Sequence, residues 1–282
     1  SFFLICDMSL LQIHSIIIYP IKSLGGINVS QITVEPAGLQ YDRRFMLVDS
    51  ENKFITQRTR PELTRFQLEA KGGGFEVIDQ KNQCVKFLDF NPPLGSTEEV
   101  QIWDDRVKAH EVLDDWSVWF SEKIGEKVRL FQLSSLFSRY IQPAYQTAES
   151  KISSFADSLP ILLCSKASFH HVDSLVDKPL DWRRFRPNII VSNQMAFEED
   201  TWQEISIGNS VKLFGAKPCA RCQLINVDPH DGTSDLTILK ALSQTRKFEN
   251  KVYFGQQFVP ISLGEIKVDD LINIHKLKDA IF

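Results

Sequence analysis

The sequence is poor in the residues that would tie it to a secreted, fibrous or membrane class. It has only five cysteines in 282 residues: Cys6, Cys84, Cys164, Cys219 and Cys222. An odd, scattered set argues against a disulfide framework and for a reducing compartment. With 13 Gly and 12 Pro there is no collagen-like or low-complexity tract. No apolar run reaches the length of a membrane helix, which excludes a membrane partner of that kind. The net charge of −4 gives no basic excess, so nucleic acid is not the expected partner. Absent too are GxGxxG, GxxxxGK[ST], GxSxG and HExxH, leaving dinucleotide-fold, Walker, serine-hydrolase and zincin readings without their usual signal. The opening Ser1-Phe-Phe-Leu-Ile-Cys-Asp-Met8 lacks a basic leader and a cleavage site. Met8 reads as a natural start, with residues 1–7 extraneous, and the expected location is the cytoplasm.

What is present is a folded composition, 43% hydrophobic and 24% charged, long enough for one large domain or two ordinary ones. The first half reads as short strands and turns: 12–20, 29–34, 44–49, 63–70, 75–78 and 84–88, a spacing that suggests a barrel or sandwich. Trp116, Trp119, Phe120 and Ile124 then share one helix face that Gly125 can end. Residues 134–158 are weakly patterned and read as a long surface loop. Beyond them, 160–164, 188–192, 205–207, 211–214, 224–227, 258–261, 266–268 and 272–274 read as strands. Ser165 can cap a helix carrying Phe169, Val172, Leu175 and Val176. Thr233 or Ser234 can open another with Leu236, Leu239 and Leu242 inward. A β-rich unit at 9–135 and a mixed unit at 136–278 is the economical division.

Two constellations carry chemistry. Lys217-Pro-Cys-Ala-Arg-Cys222 holds a C-x-x-C pair. Zinc would need two more ligands at matching spacing, and a thioredoxin-type pair belongs at a helix start, whereas 223–227 reads as strand. Arg221 beside Cys222 favours a thiolate, the ligand a soft or high-valent metal selects. Spacing alone leaves a reactive thiol and two merely buried cysteines equally open. The second constellation is arginine: Asp42-Arg-Arg-Phe45, Arg58 and Arg60 in the first half, Asp181-Trp-Arg-Arg-Phe-Arg-Pro-Asn188 in the second. Such forks suit a small phosphorylated ligand, or simply surface ion pairs. His170-His171 reads as a partly exposed helical pair, not a ligand set.

Taken in order, these segments resemble a known family. Tyr19-Pro-Ile-Lys-Ser23, Gly38-Leu39 and Asp42-Arg-Arg-Phe-Met-Leu-Val48 are similar to the β-barrel domain that precedes MOSC domains. Phe185-Arg-Pro-Asn-Ile-Ile-Val191, Glu199-Asp-x-Trp202, Ile207-Gly208, Cys219-Ala-Arg-Cys222 through Val227-Asp-Pro229, Phe254-Gly-Gln256 and Ile266-Lys-Val-Asp269 resemble the MOSC domain itself. The resemblance runs from about residue 10 to 276. It implies a β-rich α+β fold: an N-terminal β-barrel-like domain and a C-terminal MOSC mixed β-barrel with peripheral helices. The nearest patterns are those of the amidoxime-reducing components and the YcbX-like bacterial proteins, which reduce N-hydroxylated compounds with a molybdenum cofactor.

The resemblance further implies Cys222 as protein ligand to molybdenum, with Lys22, Ser23, Arg44, Arg186 and Asn188 holding the pterin and its phosphate. Arg221 and Gln257 join that set. Asp157 and Ser158 align with a cofactor-contacting Asp-Thr-Ser stretch, and Leu159 replaces its second hydroxyl. Gln257 stands where the amidoxime reducers have tyrosine. Asp228 is a candidate proton relay, or the cap of the Asp228–Gly232 turn. No plant-type ferredoxin cysteine pattern follows Cys222, so electrons are expected from a separate donor: a ferredoxin, a flavodoxin or a cytochrome b5 type reductase system. Two other functions fit the same residues: a sulfur-carrier or cofactor-delivery protein using Cys222, and a binding module for a phosphorylated metabolite using only the arginines.

Overall fold

In the computed structural model, residues 10–134 and 138–282 are described. Residues 1–7, Cys6 among them, and the boundary drawn at 135/136 lie outside these residues. The fold is β-rich, with three α-helices among the described residues: α1 (Trp116–Ile124), α2 (Lys166–Asp173) and α3 (Thr237–Thr245). α1 ends in a left-handed Gly125, whose N–H returns to the Ser121 carbonyl. α2 is capped by Ser165, whose hydroxyl accepts from the Ser168 N–H.

Among the described residues the largest sheet has nine strands, eight on one path and a ninth, Lys247–Phe248, paired with Lys251–Ser262, and it mixes the two halves of the sequence. Its path starts with Ile27–Val29 and Gln12–Ile18, passes through Ile189–Ser192, Ile161–Ser165, Lys251–Ser262, Val211–Arg221 and Trp202–Ile207, and ends with Ile272–Leu277. All pairs on this path are antiparallel except Ile161–Ser165 with Ile189–Ser192. An isolated bridge from Gln12 to Leu271 brings the two ends of the path together. A smaller sheet also crosses between the halves, pairing Gly264–Lys267 with Gln31–Glu35. One apolar cluster, running from Ile13 and Phe45 through Trp116 to Trp202 and Phe258, fills the space beneath both. Burial of alternate strand faces supplies most of the stabilisation here.

Four expectations need correction. Residues 224–227 are not a strand. Gln223–Asn226 forms a 3₁₀ turn, because the fully buried Asn226 accepts from the Leu239 N–H through its side chain and pulls the chain inward. α3 begins at Thr237, not at Thr233 or Ser234. Asp235 accepts from the Thr237 N–H, and Leu236 stays exposed while Ile238, Ala241 and Leu242 are buried. The strand expected at 63–70 starts only at Phe66, after a 3₁₀ turn that Pro61 opens. Residues 134–158 are a surface loop only in part where described: 142–149 are exposed or half-buried, but their flanks form a strand pair. Arg139–Tyr140 pairs with Ile152–Ser153, and Ser150 and 153–156 are buried.

Candidate functional site

The site is a cavity of about 490 Å³ where the segments quoted above converge. One wall comes from the N-terminal sequence. Tyr19–Leu24 and Asp42–Phe45 are laced together: Asp42 accepts from the Tyr19 N–H at 2.8 Å, Arg43 N–H donates to the Tyr19 carbonyl, and Lys22 N–H to that of Phe45. Ser23 and Arg43 adopt left-handed backbone (φ 67° and 51°), which turns their side chains toward the opening. The floor is the 153–158 segment. The Arg139 guanidinium donates to the carbonyls of Ser154 and Ala156, and Phe155 N–H donates to the Arg43 carbonyl. The far wall is the strand pair Val211–Arg221 and Lys251–Ser262, from whose end Cys222 emerges.

Cys222 is exposed and lines the cavity; Cys219 is half-buried beside it. Cys222 begins the 223–226 turn in extended conformation. Arg221 donates to the Cys219 sulfur at 3.2 Å and to the Phe185 carbonyl at 2.7 Å, and no hydrogen bond from it reaches Cys222. The third cysteine nearby, Cys164, is fully buried in its strand, and burial holds its thiol well above the usual range. Of the two sulfurs that line the cavity, Cys222 is the more accessible to a ligand.

Six cationic side chains line the cavity, Lys22, Arg43, Arg186, Lys217, Arg221 and Lys251, against one carboxylate, Asp157. Lys22 is buried and donates to the Phe155 carbonyl at 2.8 Å and to Asp157. Burial lowers its pKa to about 8, against the pull of Asp157. Asp157 feels burial as an upward push, but Lys22 and Arg43 outweigh it and keep the carboxyl below its ordinary range. The indole N–H of Trp103 donates to the same carboxylate, and Arg58 stacks on that indole at 4.1 Å. Arg186, held left-handed at φ 53°, lies 4.1 Å over the Tyr19 ring and donates to the Leu24 carbonyl; burial brings its pKa down to about 10. Its Nη2 and the Nε of Arg221 are buried without a partner among the described residues.

Of the expected site residues, Lys22, Ser23, Asp157, Ser158, Arg186, Asn188, Arg221, Cys222 and Gln257 all line this cavity. Asn188 does so as a brace. Its amide joins Ile17 to Leu162 and accepts from Arg43. Arg44 lies elsewhere, paired with Glu35 at the surface, and the neighbouring Arg43 takes the place expected for it. Asp228 also lies outside the cavity. It accepts from the His230 N–H, its backbone closes the turn with Thr233 and Gly232, and its carboxylate pairs with Arg184. Arg60 and Arg183 likewise go to ion pairs, with Glu126 and Asp181. Lys217, Lys251, Tyr145, Phe248, Tyr253 and Ile281 line the cavity without having been singled out as site residues.

These features, an accessible cysteine at a strand end facing a cationic cleft built from both halves of the chain, coincide with two family descriptions. The profile of the MOSC N-terminal beta barrel domain matches residues 10–127, and that of the MOSC domain matches residues 151–273. The chain belongs to the MOSC-domain proteins that carry this N-terminal domain. Among curated relatives it is 29% identical to the molybdenum cofactor sulfurase of Oryza sativa subsp. japonica, over 87% of this chain and 32% of that protein. It thus spans about a third of the sulfurase. It is 27% identical to mitochondrial amidoxime-reducing component 1 of Mus musculus, over 90% of this chain and 79% of that protein. Among solved structures, the YUAD protein from Bacillus subtilis matches at a TM-score of 0.45 and 10% identity, over 95% of this chain and 97% of that one.

Proposed function

We propose that this protein is an oxidoreductase that binds the molybdenum cofactor through Cys222 and reduces N-hydroxylated compounds. The observation that carries the reading is the exposed Cys222 thiol opening into a cleft where Lys22, Arg43, Arg186 and Arg221 stand against one carboxylate, Asp157. The residues fit the group. A pterin phosphate needs donors that the protein leaves unused, and Arg186 Nη2 and Arg221 Nε are buried without partners. The volume is that of an ordinary cofactor site. The name of one relative, an amidoxime-reducing component, supports the reduction, and that of another, a molybdenum cofactor sulfurase, supports the cofactor alone.

The cofactor, when bound, supplies two-electron redox chemistry at its metal. The protein's part is to bind, orient and shield. Cys222 offers one soft thiolate, and Arg221, held by Cys219 and Phe185, keeps positive charge next to that ligand strand. Lys22, Ser23, Arg43 and Arg186 face the anionic end, with Asn188 fixing Arg43 and Asp157 fixing Lys22. Overall an N–OH compound takes up two electrons and two protons, its N–O bond breaks, and water leaves. The electrons would come from a donor of ferredoxin, flavodoxin or cytochrome b5 type.

The test compares wild type with Cys222→Ser and Cys219→Ser, made in a host that produces the cofactor. Expected are molybdenum near one equivalent and benzamidoxime reduction by a chemically reduced dye in wild type. Cys222→Ser should lose both while its unfolding midpoint stays put, because a near-isosteric change at an exposed site is mild. Wild-type turnover by Cys222→Ser would refute the assignment. A persulfide on Cys222 in protein free of molybdenum would instead favour the sulfur-carrier function.

A further inference from the structure

The cavity's charges serve two different walls. Lys22, Arg43 and Arg186 stand on the N-terminal side and the 182–188 turn, each already engaged by Asp157, Asp42 or the Leu24 carbonyl. Lys217 and Lys251 stand on the opposite wall, on the paired strands Val211–Arg221 and Lys251–Ser262. Among the described residues no ion pair engages either lysine. Lys217 is half-buried; burial lowers its pKa, as does the charge of Lys251, and only Cys219 opposes them. Two like charges aimed into one half-dry cleft without a counterion repel each other, and an anion placed between them relieves that repulsion.

Strand register places these lysines relative to the thiol. Ala220 faces Tyr253, Arg221 faces Val252, and across the next turn Phe248 faces Lys251. Lys251, Tyr253 and Phe248 therefore flank the end of the strand from which Cys222 leaves. Lys217 faces Gln257 further back, roughly 16 Å along the strand from Cys222 at about 3.3 Å per residue. The surface between is aromatic and apolar: Phe248 is 44% exposed, Ile281 39%, and Tyr145 lies under the Lys217 ammonium at 4.8 Å. Such a surface takes a flat ring, and the two lysines take a negative substituent on it.

We propose that the substrate of this cavity is anionic: an N-hydroxylated aryl compound bearing a carboxylate, its ring against Phe248 and Tyr253 and its carboxylate between Lys217 and Lys251. This rests on the N-hydroxy reductase reading and adds the substrate class to it. Lys217 and Lys251 are then specificity determinants, distinct from the cations that face the cofactor.

The experiment uses holoprotein and two matched probes, 4-carboxybenzamidoxime and its methyl ester, which differ by one charge. Wild type should show a KM about ten-fold lower for the carboxylate, the size expected of two half-exposed charge pairs. In Lys217→Gln/Lys251→Gln that ratio should collapse to about one, with molybdenum content and unfolding midpoint at wild-type values. Equal KM values in wild type, an equal loss on both probes, or a fall in molybdenum content would each overturn the proposal, the last by assigning the lysines to the cofactor. Should neither probe be reduced, calorimetry with 4-carboxybenzamidine and its methyl ester separates the two readings. A carboxylate preference that the double variant abolishes sustains the anion site without the reductase, and no preference ends it.

Discussion

Glu199 offers a quantitative test of how the C-terminal half is held. Its carboxylate is fully buried, accepting from the Ser165 N–H at 3.2 Å and the Ser168 hydroxyl at 3.0 Å, and so ties a 3₁₀ turn to the first turn of α2. Burial first, and the adjacent Asp200 second, raise its pKa to about 7 from the ordinary 4.5. A raised carboxyl destabilises the folded state wherever the unfolded chain is ionised. The penalty is absent below pH 4.5, grows between 4.5 and 7, and is complete above 7. A displacement of about 2.5 units corresponds to about 3 kcal/mol. Glu199→Gln keeps an acceptor for Ser165 and an amide for Ser168 while removing the charge. It should raise unfolding free energy by about 2–3 kcal/mol at pH 8 and by less than about 1 kcal/mol at pH 5, read from urea midpoints at a constant m-value. Glu199→Ala removes the acceptors as well and should be destabilising at both. A Gln variant whose gain is the same at the two pH values, or which loses stability at pH 8, would refute the burial argument.

Two further outcomes follow from the site. Lys22 carries its burial penalty below pH 8, and the penalty disappears as pH rises from 8 toward 10.5, so Lys22→Met should stabilise the fold by about 1–2 kcal/mol at pH 7 after loss of the Phe155 hydrogen bond, while bound molybdenum falls; a variant that is both less stable and fully loaded would contradict this. Gly255 has φ 75°, and a Cβ there would meet the Cys164 sulfur at 2.6 Å, so Gly255→Ala should lower stability by about 2–4 kcal/mol in chemical denaturation, and a neutral result would mean the strand bends there without strain.

How much of this was legible in the sequence depended on the range of the interaction involved. α1 and α2 were readable because apolar period and cap residue lie within one short stretch, Trp116 to Gly125 and Ser165 to Val172. The 223–227 segment misled because Leu224, Ile225 and Val227 make a short apolar, largely β-branched run, whereas the decisive bond, from Leu239 N–H to Asn226, comes from thirteen residues away. The choice between Arg43 and Arg44 was beyond pattern reasoning. Adjacent side chains diverge, and only the positive φ of Arg43 decides which one faces inward. Lys217 stood in the quoted cysteine segment, yet nothing local distinguishes a strand lysine at a cavity from one in water. Lys251 becomes its neighbour only through the pairing of 211–221 with 251–262.

The arginine constellation shows why this matters for function. Sequence left anion binding and surface ion pairing as equal explanations, and the structure divides the residues between them. Arg44, Arg60, Arg183 and Arg184 each meet a carboxylate, Glu35, Glu126, Asp181 and Asp228, and two of those partners, Glu126 and Asp228, lie far along the chain. Arg186 and Arg221 meet backbone carbonyls, aromatic rings and a thiol, and each keeps a buried nitrogen unused. A buried donor without an acceptor costs about 1–3 kcal/mol, and these two, on opposite walls of the cavity, have no acceptor among the described residues. That unmet demand beside an accessible thiol, more than the number of arginines, is what supports the proposal of an anionic, sulfur-ligated group in the cleft.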